Sequence, residues 1–499
     1  MPQAQRTLLE IRQQRLQKLA ELRELGYDPY PYRFEVSHRS ADLQNLDDDA
    51  FPDDVRVAGR VVSVRRMGKA SFVHLQDVDG RQQIYLKRDN IGEAAYEELF
   101  GRVDLGDFLG VRGAVFRTRT GEITVEVREL TLLSKSLRPL PNLKEKDGEI
   151  FDPFEDKENR YRRRYLDLIV NPEVRVHFMN RAKIIRHLRE SLDGHGFVEV
   201  ETPALQPLYG GASARPFTTY HNTLDQTLYL RIADELYLKR LIIGGFEKVY
   251  ELAKDFRNEG MDRSHNPEFT MLEFYQAYAD YHQMMDFTEK LIRGAASATG
   301  ELQLTYRGQE IDLSAPFGRA TYWGLLQKHG GPALAGLTTA EEVRSAAEQL
   351  GHNLPDELNF GQLLDKLFGI LVEPHLIQPT FVMDHPKAIS PLAKAHRDGD
   401  PALVERFELF IGGLEIANAF SELNDPIEQR SRLEAQAELA SAGDEEAQTL
   451  DEDFLEAMEF GMPPTGGVGI GVDRLVMLLT GQESIKDVIL FPAMRPGPS

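Results

Sequence analysis

The sequence predicts a multidomain α+β protein: a small five-stranded β-barrel, then a larger domain built on an antiparallel sheet flanked by helices. Three observations carry that prediction. The chain has 499 residues, more than one hydrophobic core usually supports. Residues 55–135 break into four or five short β-rich runs, with turn signals at "VDGR" and "RTGE". From about residue 174, helical patterns alternate with strand-like runs, and two of those runs flank one charged loop.

The elements follow in chain order. Residues 1–50 read as an N-terminal helical extension. Leu8, Ile11, Leu16, Leu19 and Leu22 recur at roughly helical spacing, and Gly26 is a natural stop. Arg6, Arg12, Arg15, Lys18 and Arg23 sit among them. They suit either a solvated helix packing one stripe on a neighbour or an arm touching a polyanion. Residues 51–140 are the barrel, and the oligonucleotide-binding (OB) barrel has this strand number and size. Its binding face would carry Phe72, His74 and Gln83, with Arg65, Arg66 and Lys69 beside them. Aromatic and basic residues together offer single-stranded bases a stacking platform and neutralise phosphates. An ordinary barrel with Phe72 in its core is the plain alternative. Residues 141–173, rich in proline and charge, read as a linker. Its "RYRRRYLDL" is a basic cluster suited to a phosphate backbone or an interdomain acid. Residues 174–499 form the larger domain, with a mostly helical insertion at about 315–378. The acidic "SAGDEEAQTLDEDFLEAM" from residue 441 reads as a solvated helical surface.

Composition removes several function classes. The net charge of −22 argues against nonspecific nucleic-acid binding, though not against a local basic face. There is no cysteine, which excludes disulfides, thiolate catalysis and cysteine-based zinc sites and suits a reducing cytosol. No run of eighteen apolar residues occurs, so no membrane span is expected. The charged start reads as a helix rather than a signal peptide.

Three stretches carry chemistry. The first is "FRNEG" at 256–260 with "HNPEFTMLEFY" at 265–275. Strand alternation puts Phe269, Met271, Glu273 and Tyr275 on one face, and Thr270, Leu272 and Phe274 on the other. Arg257 and Asp255 share a face of the preceding run. The two runs make an antiparallel hairpin whose floor bears a cation, an aromatic ring and acids. Such a floor is costly to bury without ligands, and suits a planar base with charged partners. The second is "TGGVGIGVDR" at 465–474. It lacks the preceding strand and following acid of a dinucleotide fingerprint. It reads as a glycine strand on which a ligand lies flat, with Arg474 placed to reach phosphates or a base. The third is "ELFIGGLEIANAFSELNDP" at 408–426. Strict alternation sets Glu415 opposite Asn418, Phe420 and Glu422, so both glutamates serve one site only if the strand bulges between them. Two buried carboxylates without a local cation point to a hard metal with phosphate oxygens, Mg²⁺ most simply, held by Glu415 and Glu422. Two independent surface glutamates are the alternative.

Together, "GFVEVETP", "FRNEG…HNPEF" and "GVGIGVDR" resemble motifs 1, 2 and 3 of the class II aminoacyl-tRNA synthetases. With the barrel in front, the chain resembles the subclass that handles lysine, aspartate and asparagine. "GGASARPF", "LYLRIADELYLKRL", "IGGLEIANAFSELNDP" and "DVILFPAMRP" are similar to the bacterial-type lysyl-tRNA synthetases, over nearly the whole chain. The resemblance implies an OB-fold anticodon-binding domain and a class II catalytic domain. It implies formation of lysyl-adenylate from L-lysine and ATP, then transfer of lysine to its tRNA. Arg257 and Arg474 would be the catalytic residues. ATP would meet Arg257, Glu259, His265, Asn266, Phe269, Glu415 and Arg474, with adenine between Phe269 and Arg474. Lysine would meet Gly211, Glu235, Arg257, Glu273, Tyr275, Asn418 and Glu422. Several Mg²⁺ ions would accompany ATP at Glu415 and Glu422, and no zinc. Phe72 and Gln83 would meet anticodon bases, with Glu129 nearby. A homodimer through motif 1 and a cytoplasmic location are also implied.

The pocket residues support lysine independently. Glu235, Glu273 and Tyr275 come with no evident spare cation, which matches an ammonium rather than a substrate carboxylate. The rival readings are an aspartate or asparagine enzyme, and a noncatalytic RNA-binding paralogue. The latter should have lost one of Arg257, Glu415, Glu422 or Arg474.

Overall fold

Alternating apolar residues curl the first β-rich segment into a closed barrel. The computed structural model describes residues 3–47, 50–141, 144–146, 149–151, 154–441 and 448–496. They divide into two units, Met1–Asp156 and Lys157–Ser499, and the division falls inside the segment read as a linker.

In the first unit the barrel comprises β1 (Val55–Met67), β2 (Ala70–Gln76), β3 (Arg81–Lys87), β4 (Phe108–Arg117) and β5 (Ile123–Ser134). Its strand order is β1-β2-β3-β5-β4, closing on itself, with only β3 and β5 parallel. Val55, Val57, Val61, Val73, Leu75, Ile84 and Leu86 fill it by strict alternation. Phe72 therefore points outward and is only half-buried. The helix α1 (Gln3–Glu24) buries Leu19 and Leu22 while Leu8 and Leu9 stay exposed. Of its cations, Arg15 donates to the carbonyls of Leu105 and Ser136, and Lys18 pairs with Asp104 at 2.6 Å. Those two hold the helix to barrel loops, which is the stripe-packing reading rather than the polyanion arm.

The second unit is built on an eight-stranded sheet. We number its strands β6 (Val198–Glu199), β7 (Lys248–Phe256), β8 (Glu268–Ala277), β9 (Gly318–Thr321), β10 (Thr380–Pro386), β11 (Leu403–Ile411), β12 (Leu414–Ser421) and β13 (Thr465–Gly471). The order is β9-β10-β11-β12-β13-β8-β7-β6. The middle is antiparallel, and only the edge strands β6 and β9 pair in parallel. One face packs Leu272 and Phe274 into a core with α2 (Val174–Gly194) and α4 (Tyr281–Thr299). The other face is left to form a cleft. Between β7 and the preceding turn lies α3 (Glu235–Ile243), which is central to that cleft.

Two expectations change in part. In the basic cluster at 160–164, Arg164 is internal structure: it is buried, pairs with Asp167 at 2.6 Å and donates to the carbonyls of Lys486 and Leu490, while Arg163 is exposed. The acidic stretch, where it is described, is a helix with Glu452, Asp453 and Glu456 on an exposed face and a buried apolar face. Residues 442–447 lie outside the described residues, and beyond them Phe454, Leu455 and Met458 are buried. The insertion is helical as expected, and α5 (Phe360–Leu371) turns Asp365 toward the cleft.

Candidate active site

The cleft has a volume of about 570 Å³ and lies wholly within the second unit. The β7/β8 hairpin makes its floor. Asp255 pairs across with Phe269, Ala253 with Met271 and Glu251 with Glu273, so the alternation read from the sequence holds. Phe269, Met271, Glu273 and Tyr275 line the cleft, as do Gly211, Glu235, Arg257, Glu259, His265, Asn266, Glu415, Asn418, Glu422 and Arg474.

The glycine strand β13 runs between β8 and β12, with Gly467 opposite Tyr275 and Phe420, and Gly469 opposite Glu273 and Asn418. A side chain at Gly467 would collide with Glu422 Oε1 and the Tyr275 ring. At Gly469 a Cβ would meet nothing closer than 3.8 Å, so that position is open to the cleft. Gly211 adopts φ +87, which lets the loop fold close over Ala233 and Glu235.

The strand bulge required by the third motif is present. On β12, Ala417 pairs with Leu409 but Glu415 pairs with Phe410, leaving Ile416 as the extra residue. Ile416 and Ala417 are consecutively buried, and Glu415, Asn418 and Phe420 come to one face. Both glutamates thus reach the cleft. They do not reach the same point of it: seven residues of strand separate them by roughly 20 Å. Glu422 instead sits 2.5 Å from Lys239 Nζ. The paired metal site at Glu415 and Glu422 is therefore corrected: one ion with ligand distances of about 2 Å cannot bridge them.

At the nucleotide end, Arg474 on α6 (Val472–Leu479) donates to Glu415 and lies 3.0 Å from His265 Nε2. Arg257 stands over the Phe269 ring, 5.0 Å from its centroid. Its Nε is buried without a hydrogen-bond partner among the described residues. Asn266 is spent on structure, donating to the Glu268 carbonyl and accepting from Ala493 N–H. Glu259 is exposed on the loop at the cleft's rim.

Sequence reasoning missed a second carboxylate set here. Glu408, on β11 directly across from Asn418, is pushed up to about 8 by burial, with Glu415 and Asp365 adding to it. Glu373 is pushed up to about 7 by burial and by Glu415 and Asp365. Arg406 pairs with Glu408 at 2.5 Å and donates to Asn418 Oδ1. Carboxylates that repel one another beside Arg474 suit a divalent cation, so Glu408 and Glu415 are the pair that fits Mg²⁺.

The opposite end is acidic and dry. Glu235, Glu273, Tyr275 and Glu422 are all buried. Tyr275 donates to Glu273 at 3.0 Å. A cation that the sequence reading did not name lies behind the pocket, paired and not spare. Lys239, wholly buried one helical turn after Glu235, lies 2.5 Å from both Glu235 and Glu422. Behind Glu273, Asp234 and Asp255 bring carboxylate oxygens within 4.8 Å of it and of each other. Burial, then Asp255, pushes Asp234 up to about 10. Arg231 pairs with Glu251 at 2.8 Å and with Asp234 at 3.0 Å.

Burial pushes Glu273 and Glu422 each up to about 8; Asp255 and Glu235 add to the first, and Lys239 opposes the second. A ligand ammonium needs both ionised. Affinity for a diamino ligand is expected to rise with pH from about 6 and to level off above about 8, while the ligand stays charged. Calorimetric Kd values across that range check it, and a flat profile would contradict it.

On the barrel's outer face Phe72 packs against Tyr85 with centroids 4.8 Å apart and the rings tilted by 34°, and Phe116 meets Tyr85 edge-on at 6.2 Å. Gln83 donates to Glu122, and His74 lies 2.9 Å from that carboxylate. Glu129 does not join them; it pairs with Arg112 at 2.9 Å, past a bulge in the β4/β5 ladder. The acid beside Gln83 is Glu122, from the β4–β5 turn.

Comparison with known proteins agrees with this geometry. A family model described as tRNA synthetases class II (D, K and N) matches residues 156–495. One described as an OB-fold nucleic acid binding domain matches residues 55–133. A lysine–tRNA ligase of Moorella thermoacetica is 55% identical over 483 residues, 97% of each chain. Another, of Pelotomaculum thermopropionicum, is 54% identical over 98% of this chain and 96% of its own. A third, of Carboxydothermus hydrogenoformans, is 51% identical over 98% of this chain and 99% of its own.

Proposed function

The chain belongs to the class II tRNA synthetases (D, K and N), and on that premise we propose that it is a lysine–tRNA ligase, activating L-lysine with ATP and passing it to tRNA. The observation that carries the substrate is the acidic end of the cleft. Glu235, Glu273 and Glu422 converge there, and its one cation, Lys239, is already spent on two of them. An aspartate substrate would need a free cation at that end.

In this reading the α-carboxylate of lysine and the α-phosphate of ATP meet at Arg257, with adenine on Phe269. Arg474 and His265 take the outer phosphates. The lysine carboxylate oxygen attacks the α-phosphorus, pyrophosphate leaves, and lysyl-adenylate forms. A ribose hydroxyl of the tRNA end then attacks the adenylate carbonyl and AMP leaves. No covalent enzyme intermediate is needed; held cations position the reactants and stabilise developing charge. Mg²⁺ bound by Glu408 and Glu415 would neutralise phosphate charge. Gly211 and Glu235 receive the α-amino group, and Glu273, Tyr275, Asn418 and Glu422 the side chain. Phe72, Tyr85, Gln83 and Glu122 offer the anticodon its stacking and hydrogen-bonding face.

The test is amino-acid-dependent exchange of pyrophosphate into ATP without tRNA, comparing lysine, aspartate, asparagine and arginine. Exchange with lysine alone is the expected result. Exchange with aspartate or asparagine would keep the family and overturn the substrate. No exchange with any would favour a noncatalytic RNA-binding paralogue.

A symmetric homodimer is part of the proposal. Val176 and Met179 on α2 are 54% and 60% exposed, and Val198 on β6 is 47% exposed. These exposed apolar residues lie on the helix–strand segment that ends in motif 1, and they suit a two-fold contact. Met179→Glu is expected to halve the mass in sedimentation equilibrium; an unchanged dimer would remove α2 from the interface. The reading also carries a cytoplasmic site of action, where tRNA is charged. No described helix is long and apolar enough to cross a membrane.

A further inference from the structure

Lys239 is a buried cation at the acidic end that the reaction does not use. Its ammonium does not reach the cleft surface; it is wholly buried behind Glu235 and Glu422. It stands 2.5 Å from Glu235 Oε1 and 2.5 Å from Glu422 Oε2. Glu422 therefore has two unlike oxygens. Oε2 is the oxygen that lies 2.5 Å from Lys239 Nζ, and both oxygens are buried without a hydrogen-bond partner among the described residues. Gly467 leaves the space into which Oε1 points, beside the Tyr275 ring. A lone buried acceptor of this kind is costly unless a donor arrives with the ligand.

The charges count the same way. Three carboxylates converge at this end: Glu235 from α3, Glu273 from β8 and Glu422 just past β12. Tyr275, Asp234 and Asp255 stand around them. With Glu235, Glu273 and Glu422 ionised, as ammonium binding requires, Lys239 offsets one negative charge; two remain, and L-lysine brings two ammonium groups.

Resting on the lysine reading above, we infer that Lys239 is a positioning residue of the amino-acid pocket. It locks Glu422 through Oε2, leaves Oε1 for the substrate's side-chain ammonium, and sets the pocket's charge to match a diamino acid. A bound proton could replace the charge of Lys239 but not its position. The proton would move among three carboxylates, and the acceptor geometry would be lost.

The test is steady-state pyrophosphate exchange by the full chain carrying Lys239→Met, which keeps volume and removes charge. The lysine KM is expected to rise about 30-fold or more, with kcat at saturating lysine and the ATP KM within about threefold of the parent. Because Lys239 acts through Glu422, Lys239→Met should add little to Glu422→Gln in the double variant. Lys239→Gln, which can still donate to both carboxylates, should fall between parent and Lys239→Met. It also serves if the methionine variant does not fold. An unchanged lysine KM would overturn the inference, as would full additivity with Glu422→Gln. So would equal loss in kcat and ATP KM, which marks a merely structural residue. If the parent chain itself fails to exchange with lysine, the ligase reading falls and this one with it.

Discussion

Arg257→Ala is expected to lower lysine-dependent pyrophosphate exchange by about 10²-fold or more, the scale of losing one preorganised donor. Two features make this side chain a poised cation rather than a structural one. Its guanidinium rests on the Phe269 ring at 5.0 Å, and its buried Nε has no partner among the described residues. Its backbone position does not depend on the side chain, since Arg257 N–H donates to the Pro267 carbonyl at 2.9 Å. The variant should therefore fold and keep its melting temperature while losing adenylate formation. Arg257→Lys keeps the charge but not the planar fork, so it should recover only part of the loss. Near-normal exchange by Arg257→Ala would remove the residue from the centre of the reaction.

The second large effect is expected at Gly467. A methyl group there would overlap Glu422 Oε1 and the Tyr275 ring, both buried and neither on a flexible surface arm. Gly467→Ala should displace the side-chain acceptors and raise the lysine KM by about 10²-fold. It should also cost about 1–3 kcal/mol of stability, as overpacking does. Gly469→Ala separates the two consequences. Its new methyl would have 3.8 Å of clearance, so the folded protein should be as stable as the parent. Any loss of activity there would report only the closeness of a ligand to the strand. Equal thermal destabilisation in both variants would contradict this account.

Much of this site could be read from one chain because strand alternation is a local rule. Phe269, Met271, Glu273 and Tyr275 were placed on one face by counting, and the β7/β8 register bears that out. The bulge in β12 was a requirement of chemistry before it was an observation. Burial and long-range register were not legible. Lys239 and Glu235 look like any surface i, i+4 pair until α3 is packed on β7 and β8 and Glu422 closes on Lys239. Glu408 is seven residues before Glu415 in sequence and gains meaning only when β11 turns back along β12. Arg164 looked like a phosphate contact because nothing local shows that Lys486 and Leu490 will cover it. Glu122 could not be singled out beside Gln83, because the β3/β5 register that brings the β4–β5 turn to Gln83 is not written in local sequence.

The bulge at Ile416 has a further meaning for how this segment can vary. It works as a phase change in a two-beat rhythm, letting one strand serve the phosphate end with Glu415 and the amino-acid end with Glu422. Substitutions along β12 can be judged one side chain at a time. A change of length cannot. Deleting one residue between Glu415 and Asn418 would restore regular alternation and turn every group on one side of the cut to the opposite face. Relatives that keep this activity should therefore vary here in letters but not in spacing, and library designs should hold the distance from 415 to 422 constant.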